Sequence, residues 1–198
     1  MNKFENIFNG AKNEIEKLWN ENSALWDFVE FPKDLQLKNF NANKIPAADK
    51  LFNWKSNLST NLKELHQTIC NLSPYANWEY GYDEKDVGKD FLNNYGFFEL
   101  IGPSGHFETS KMALYVNYLC KNAYYPWHHH DAEELYFIVS GEAKFESKDQ
   151  NTKILSSTNT RLHKSFEPHA ITTDKKQVLS FVIWKNKFEN VSKLTKDE

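Results

Sequence analysis

The N-terminal part of the chain repeats apolar positions with the period of an α-helix. Charged residues separate the members of a first stripe, which are Phe4, Phe8, Ala11, Ile15 and Leu18. A second stripe has the same spacing of three or four residues and consists of Leu51, Trp54, Leu58, Leu62, Leu65 and Ile69. Such spacing predicts amphipathic helices. The second should end near Asn71, because the residue before Pro74 avoids the α conformation. We therefore expect a helical extension over residues 1–74 that packs on the rest of the protein or forms a homodimer surface.

Strand-like patterns replace the helical ones from residue 95 onward. Two stretches before that point are predicted to be irregular, residues 31–48 with their prolines and asparagines and residues 75–90 with acidic, aromatic and glycine residues. Short runs then follow, YGFFELI, MALYVNYL, ELYFIVS, EAKFES, TKIL, AITT and VLSFVIW. Because no helical pattern interrupts them, they favour an antiparallel barrel or sandwich over residues 75–190, followed by a solvated tail at 191–198.

One stretch of this region, HHHDAEELYFIVSG from His128 to Gly141, combines apolar residues with metal-binding and titratable ones. Side chains on a strand alternate between its two faces, so one face would carry His128, His130, Glu134 and Tyr136. The opposite face would carry Leu135, Phe137 and Val139, which suits a strand covered on both sides. We interpret the stretch as one wall of a metal site inside a small β-barrel, ending at the glycine.

The spacing of the polar residues, His-x-His-x3-Glu-x6-Gly, suits metal binding. Two imidazoles and a carboxylate on one face leave coordination positions open, which fits a first-row divalent metal. A third imidazole on a separate strand can come from His163 or His169 of the later segment TRLHKSFEPH. We favour His169, because it follows Pro168 and begins the alternating run AITT.

The remaining histidines are predicted to lie outside this site. His129 and Glu133 have the opposite parity, which predicts a surface position for Glu133 and either exposure or a hydrogen bond to a ligand for His129. His66 belongs to the second helical segment and is predicted to lie on the helix surface. His106 follows a glycine-rich turn and has no evident partner.

Composition narrows the classes of function. The 198 residues, of which 40% are hydrophobic, can bury one core, so two independent domains are not expected. The net charge of −3, with scattered lysines and glutamates, provides no basic stripe for nucleic acid. No apolar run approaches the ~20 residues of a membrane span, and the N-terminus lacks the apolar segment of a signal peptide. We expect a soluble, cytoplasmic protein in which Cys70 and Cys120 are buried and reduced.

The metal motif and its surroundings resemble a known family. The His128 to Gly141 stretch is similar to the first metal motif of the cupin superfamily, and the segment with Pro168 and His169 resembles the second. The segments YPWHHHDAEELYFIVSGEAKFE, TRLHKSFEPHAITT and VLSFVIWK resemble the cupin-type dimethylsulfoniopropionate lyases, and the likeness extends upstream through ANWEYGYDEKDVGKDFLNNYGFFELIGPSGHF. One departure is Thr158-Asn159, where cupins commonly carry a turn glycine. The resemblance, over about residues 74–185, implies a mainly β cupin fold, a double-stranded β-helix or jelly-roll barrel, with an N-terminal α-helical extension.

The resemblance also implies a set of site residues. The ligands of one divalent transition metal, Fe²⁺, Zn²⁺ or Mn²⁺, would be His130, Glu134 and His169, with His128 as a fourth candidate. Tyr136 would be a metal ligand or the catalytic base, and Tyr125 matches a second tyrosine of the family's pocket and is the other candidate base. Tyr125 and Trp184 would contact the substrate, because aromatic faces attract a sulfonium cation.

The implied reaction is a β-elimination that converts dimethylsulfoniopropionate into dimethyl sulfide and acrylate. A tyrosine has a pKa of about 10 and needs a nearby cation to act as a base at neutral pH. Two alternatives stay open: a cupin non-haem metal dioxygenase or isomerase acting on another small carboxylate, and a non-catalytic cupin that binds a small ligand. Tyrosines beside a complete ligand set weigh against the non-catalytic protein, and a requirement for oxygen would favour the dioxygenase.

Overall fold

The computed structural model describes residues 3–55, 62–188 and 190–195. The helices in these residues are α1 (Lys3–Glu21), α2 (Ser23–Phe28), α3 (Pro46–Phe52), α4 (Lys63–Leu72), α5 (Glu84–Val87) and α6 (Lys89–Asn94), with a 3-10 helix at Ser73–Tyr75. Both α1 and α4 bury most of the apolar stripe that the sequence predicts for them, and Phe4 of α1 is half-buried. None of the described helices combines the length and the apolar character that crossing a membrane requires.

Strands make up most of the second half of the chain. They are β1 (Gln36–Leu37), β2 (Tyr95–Gly102), β3 (Phe107–Glu108), β4 (Ala113–Leu119), β5 (Tyr124–His129), β6 (Glu133–Ser147), β7 (Gln150–Ser156), β8 (Thr160–His163), β9 (His169–Thr172), β10 (Val178–Lys185) and β11 (Lys193–Leu194). Their order is β1-β3-β2-β4-β10-β6-β9-β5-β11, and β7 and β8 both pair with β6. The pairings are antiparallel except for β2 with β3. The predicted fold class, mainly β with N-terminal helices, is confirmed.

Two hydrophobic clusters lie on opposite faces of β6. The outer core is the cluster that contains Leu135, Phe137 and Val139 together with the buried side chains of α1, α3 and α4. The inner core is the cluster inside the barrel that contains Tyr136, Ile138, Val182 and Trp184. Because side chains alternate along a strand, one segment supplies both clusters. The prediction that this strand is covered on both sides is confirmed.

The second predicted helix is not continuous. Helix α3 begins at Pro46 and ends at Phe52, and Trp54 lies outside any helix. The carbonyl of Trp54 instead lies 3.2 Å from Nε2 of His66. Helix α4 begins only at Lys63 and ends at Leu72, close to the predicted end. Leu58 of the predicted stripe lies outside the described residues.

The stretch from His128 to Gly141 is not one strand either. Strand β5 ends at His129 and β6 begins at Glu133, with a bend between them. Strand β6 does not stop at Gly141 but passes through it to Ser147. Gly141 has a φ of 83°, and a Cβ at this position would overlap the carbonyl oxygen of Gln177. Only glycine fits this conformation and this close approach without strain.

Other segments also differ from the prediction. Residues 75–90 are not all irregular, because α5 and the start of α6 lie there, separated by Gly88 with a φ of 80°. The tail is not simply solvated, because Lys193 and Leu194 form β11 and pair with His129 and His128 of β5. Strand β5 itself was not among the predicted runs. Its pairing with β9 shifts register between Tyr125 and His128, where Pro126 lacks the N–H that a regular ladder needs.

His66 and His106 lie outside the cluster, as predicted, but the helix-surface position predicted for His66 is wrong. His66 is buried under the helical layer with its Nδ1 2.8 Å from Oγ of Ser140, so it does not lie on the surface. His106 is also buried, and its Nε2 accepts a hydrogen bond of 3.1 Å from the backbone N–H of Asn77. Cys70 and Cys120 are buried and free, as predicted.

The turn without a glycine is closed by other means. Thr158 takes a φ of 73° at this point, and its N–H donates a 2.9 Å hydrogen bond to the carbonyl of Ile138. Oδ1 of Asn159 accepts a 2.9 Å hydrogen bond from the backbone N–H of Ser156. The asparagine side chain therefore stabilises a turn in which a non-glycine residue adopts a left-handed conformation.

Candidate active site

A cavity of about 470 Å³ opens inside the barrel and is lined by inward-facing side chains of four neighbouring strands and by Tyr125 and His128 of β5. The strand β6 supplies Glu134 and Tyr136, β10 supplies Val182 and Trp184, β4 supplies Tyr115 and Asn117, and β2 supplies Tyr95, Phe97 and Glu99. Loop residues complete the wall, including Tyr82 and Ser192. The inner face of the barrel therefore forms most of the cavity wall.

A buried cluster of three potential metal ligands lies at one end of this cavity. His130, Glu134 and His169 each offer one ligand atom, and these atoms lie within 4.8 Å of one another. Nε2 of His130 is 3.2 Å from Oε1 of Glu134, and Nε2 of His169 is 3.2 Å from Oε2. Burial acts to lower the pKa of His130, but the charge of Glu134 and the hydrogen bonds to Glu134 and to the carbonyl of Ala132 together outweigh it and raise this pKa above its ordinary value. The pKa of Glu134 lies well below its ordinary value because the neighbouring histidines outweigh the cost of its burial.

Backbone hydrogen bonds fix the orientation of the imidazoles. Nδ1 of His130 lies 2.9 Å from the carbonyl oxygen of Ala132, and Nδ1 of His169 lies 2.8 Å from that of Glu167. Only a protonated Nδ1 can donate to a carbonyl, so each ring presents the lone pair of its Nε2. Both Nε2 atoms are buried and, apart from their 3.2 Å contacts with the carboxylate of Glu134, have no polar partner in the described part of the chain. Preoriented, unpartnered nitrogens beside a carboxylate fit a divalent metal.

His128 lies beside this cluster. Its Nδ1 is 2.8 Å from the carbonyl oxygen of Pro126, and its ring is centred 4.1 Å from that of His169 on the neighbouring strand β9. The ring also stacks on Tyr125 with 3.9 Å between centroids and an angle of 6°. Burial, together with the charge that His169 can carry, holds the pKa of His128 well below its ordinary value. His128 is therefore a neutral imidazole at the edge of the cluster and lines the cavity.

Tyr136 and Tyr125 both line the cavity but differ in their contacts. The Tyr136 side chain is buried, and its ring centre lies 6.3 Å from that of His169. Its hydroxyl shows no hydrogen bond to another described residue, whereas the Tyr125 hydroxyl is 3.0 Å from that of Tyr82. Burial, followed by the negative charge of Glu134, raises the pKa of Tyr136 well above its ordinary value. The phenol of Tyr136 is thus available for contact with a ligand but is protonated in the metal-free protein.

Trp184 joins the cavity wall to the cluster. It lies directly opposite Glu134 in the pairing of β10 with β6, and its indole N–H donates a 2.8 Å hydrogen bond to Oε1 of that residue. Its ring centre is 4.5 Å from that of His130. The tryptophan therefore orients the carboxylate while its ring faces the cavity.

The sequence prediction underestimated His163. This residue lies opposite Glu134 in the pairing of β8 with β6, and its Nδ1 is 2.9 Å from Oε2 of Glu134. Its ring stacks on His169 with 3.9 Å between centroids. The prediction offered His163 only as the alternative to His169, and the structure places both beside Glu134.

The residues with opposite parity lie outside the cavity. Nδ1 of His129 is 2.9 Å from Oγ1 of Thr195, and Glu133 forms an ion pair of 2.9 Å with Lys185. Glu133 is a surface residue, as predicted. Tyr82 was not predicted as a site residue, because it belongs to the stretch that was expected to be irregular.

An antiparallel barrel with two histidines and a glutamate converging on its interior is a cupin. Residues 34–180 of the chain match the sequence model of the dimethylsulfoniopropionate lyase family. The chain is 29% identical over 198 residues to dimethylsulfoniopropionate lyase DddQ of Ruegeria pomeroyi. The alignment covers 100% of this chain and 98% of DddQ.

Solved structures agree with this match. A chain from the crystal structures of the DMSP lyases RdDddP and RnDddQII superimposes with a TM-score of 0.94 and 30% identity, covering 98% of this chain and 100% of that one. The crystal structure of DMSP lyase DddQ from Ruegeria pomeroyi gives a TM-score of 0.90 and 28% identity, covering 97% and 98%. The protein belongs to the dimethylsulfoniopropionate lyase family and is a carbon–sulfur lyase.

Proposed function

We propose that the protein is a metal-dependent lyase that cleaves dimethylsulfoniopropionate into dimethyl sulfide and acrylate, with Tyr136 as the base. One observation carries this proposal: an unpartnered phenol lines the same cavity as the His130, Glu134 and His169 cluster. Membership of the family supports the substrate and the reaction. The elimination needs a base close to a carboxylate-binding group, and Tyr136 and a metal in the cluster would fill these two roles.

The cluster provides the site for the cofactor. His130, Glu134 and His169 would hold one divalent transition metal, with His128 as a further ligand. When bound, the metal would act as a Lewis acid on the substrate carboxylate, offset its negative charge and lower the pKa of the nearby tyrosine. Trp184 and His163 would keep the carboxylate of Glu134 in place through their hydrogen bonds.

Tyr136 would perform the proton transfer. As a phenolate it removes the proton from the carbon next to the substrate carboxylate. The electron pair of that C–H bond forms the double bond of acrylate, while the C–S bond breaks and its electron pair leaves with dimethyl sulfide. The proton is then released from the tyrosine to solvent. We favour Tyr136 over Tyr125 because the Tyr125 hydroxyl already shares a hydrogen bond with Tyr82.

The sulfonium group would contact aromatic rings. Tyr125 and Trp184 line the cavity beside the cluster and offer faces that attract a cation without requiring a hydrogen-bond donor. This arrangement suits a leaving group that carries a fixed positive charge.

Headspace gas chromatography tests the proposal directly. Protein reconstituted with Fe²⁺, Zn²⁺ or Mn²⁺ should release dimethyl sulfide from dimethylsulfoniopropionate, with an equimolar amount of acrylate in solution. The release should be the same with and without oxygen, which separates elimination from a dioxygenase. Absence of gas with every metal, in protein that has bound the metal, would contradict the proposed activity and leave the cupin fold unaffected.

A further inference from the structure

Two glutamates at the open end of the cavity have no part in the proposed chemistry. Glu79 and Glu99 both line the cavity, Glu79 exposed at its mouth and Glu99 half-buried on β2. The backbone of Glu79 pairs with that of Phe97, with N–H to carbonyl distances of 2.7 and 3.1 Å in the two directions. Because Phe97 and Glu99 share one face of β2, this pairing brings the two carboxylates to the same part of the wall.

The fold makes room for the carboxylate of Glu99. Gly102 has a φ of 149°, and a Cβ at this position would overlap Oε1 of Glu99. The same oxygen accepts a 3.1 Å hydrogen bond from the backbone N–H of Ser104. A side chain larger than hydrogen at Gly102 would displace the carboxylate. The turn that follows β2 therefore fixes the position of the Glu99 carboxylate.

Neither carboxylate has a cationic partner within residues 3–55, 62–188 and 190–195. Among the described residues, Glu79 and Glu99 form no ion pair with lysine, arginine or histidine. The other polar contact is a 3.4 Å hydrogen bond from Nδ2 of Asn77 to Glu79. Burial raises the pKa of Glu99 to about 7, and the charge of Glu79 adds to this effect against the hydrogen bond from Ser104. A cation bound between them would relieve both the burial cost and the mutual repulsion.

Aromatic rings connect this end of the cavity to the metal-binding cluster. Tyr115 lies opposite Glu99 in the pairing of β2 with β4. Its ring meets Phe97 edge to face at 5.6 Å and Trp184 at 5.2 Å. Burial raises the pKa of Tyr115 above its ordinary range, and the charges of Glu99, Glu79 and Glu134 act in the same direction. Tyr115 therefore lies within electrostatic reach of the two mouth glutamates and of the glutamate in the cluster.

The opposite end of the same cavity is suited to an anion. His130 and Glu134 of the cluster line it, and a metal held by the cluster would bind a carboxylate there. A ligand that carries a carboxylate at one end and a cation at the other would match both ends. We propose that Glu79 and Glu99 form an onium subsite, which supplies the countercharge for the cationic end of a zwitterionic substrate. The subsite rests on the proposed function, since dimethylsulfoniopropionate is such a zwitterion.

The charge preference of the cavity can be measured without catalysis. The probes are 3-(trimethylammonio)propanoate and 4,4-dimethylpentanoate, which share the carboxylate and the shape but differ in the positive charge. Isothermal titration calorimetry on the metal-reconstituted protein, at about pH 8 where carboxylates ionise, gives both affinities. The wild type should bind the zwitterionic probe roughly tenfold more tightly than the purely anionic one, as an ion pair in a partly buried pocket allows.

Substitution of the glutamates should lower this preference. Glu99→Gln and Glu79→Gln should each lower the ratio of the two affinities to about threefold, and the double variant should keep only the smaller preference that the rings of Tyr125 and Trp184 provide. Glu108→Gln is the matched control, because Glu108 forms an ion pair with Lys38 and does not line the cavity. The control should keep the wild-type ratio. Because Glu79 is exposed, its variant gives a result even if Glu99→Gln folds poorly.

The outcomes separate this proposal from the proposed function. Equal binding of both probes by the wild type, or an unchanged ratio in both glutamine variants, would overturn the onium subsite even if dimethyl sulfide is released. In another outcome, the wild type releases no dimethyl sulfide while the substitutions at Glu79 and Glu99 still lower the preference for the zwitterionic probe. That result would support the onium subsite and contradict the lyase assignment. A change of the ratio in Glu108→Gln as large as in the other variants would show a nonspecific effect of net charge and would also overturn it.

Discussion

Two faces of one strand serve different purposes in this protein. On the outer face of β6, Leu135, Phe137 and Val139 pack against the helical layer. On the inner face, Glu134 and Tyr136 point into the cavity, where burial and neighbouring charges shift the pKa of each. Neighbouring residues of β6 therefore have different roles: one side chain packs against the helices, and the next lines the cavity. The helical layer holds the strand in place, and the inner face can then bury titratable groups at a cost in stability.

Removal of one hydroxyl from the inner face should have the largest effect. Tyr136→Phe should lower the release of dimethyl sulfide by a factor of about 10²–10⁴, the usual contribution of a positioned general base. Metal content and thermal stability should stay near those of the wild type, because the hydroxyl has no hydrogen bond within the described residues. Gas chromatography and elemental analysis of the same samples would measure both quantities.

The matched control for this change lies in the outer core. Tyr118 on β4 is also a buried tyrosine but belongs to the cluster under the helices. Tyr118→Phe should leave turnover close to that of the wild type. If Tyr136→Phe loses metal along with activity, the tyrosine is chiefly a ligand, and our assignment of the base is wrong.

Truncation on the outer face should affect stability and leave the site intact. Phe137→Ala removes a fully buried ring between β6 and the helices and should lower the free energy of unfolding by about 3–5 kcal/mol. Urea denaturation measures this loss. Ile154→Ala on β7 is the control and should have little effect, since Ile154 is 69% exposed. The folded fraction of Phe137→Ala should still bind metal. If this fraction does not bind metal, the two faces of β6 are not independent.

Local sequence patterns predict the outer face of β6 better than the inner face. The alternation in ELYFIVS assigns Leu135, Phe137 and Val139 to one face, and the structure confirms a strand covered on both sides. The spacing of His130 and Glu134 also suggested a shared site, and the structure brings these side chains within 3.2 Å. The assumption behind that suggestion was wrong, because a bend separates β5 from β6. The backbone hydrogen bonds of the histidines, and not a common strand, orient their rings.

Residues that reach the site through long-range pairing could not be predicted. His163 lies opposite Glu134 only because β8 pairs with β6 in one register. Glu79 and Tyr82 come from a stretch whose local pattern predicts irregular structure, and tertiary contacts alone place them at the cavity. The same holds for His66, where a helical stripe does not reveal that Ser140 of β6 packs over it. Local periodicity cannot specify which strands and helices become neighbours.

The outer core contains a titratable group of its own, and it should make stability depend on pH. Burial lowers the pKa of His106 to about 4, below the value of about 6.5 in an unfolded chain. The neutral form is therefore favoured by folding, and its contribution is fully present above about pH 6.5 and lost as the pH falls toward 4. The loss should reach up to roughly 3 kcal/mol of unfolding free energy, since one pKa unit corresponds to 1.36 kcal/mol.

A variant without the imidazole isolates this effect. His106→Gln keeps an acceptor for the N–H of Asn77 but does not titrate. The difference in unfolding free energy between wild type and variant, measured in urea from about pH 7 to about pH 4, should narrow as the pH falls. A difference that stays constant over this range would contradict the assignment.

The smallest expected effect concerns the histidine that contacts Glu134 from the side. His163→Gln should weaken metal binding by about tenfold, the lower range for a residue that orients a ligand without binding the metal. His129→Gln is the matched control, because His129 is next to His130 in the sequence but contacts Thr195 outside the cavity. Competition with a chelator of known affinity would measure both variants. A loss far above a hundredfold for His163→Gln would make this residue a ligand, and the inner face would then hold one more metal-binding imidazole than the sequence spacing predicts.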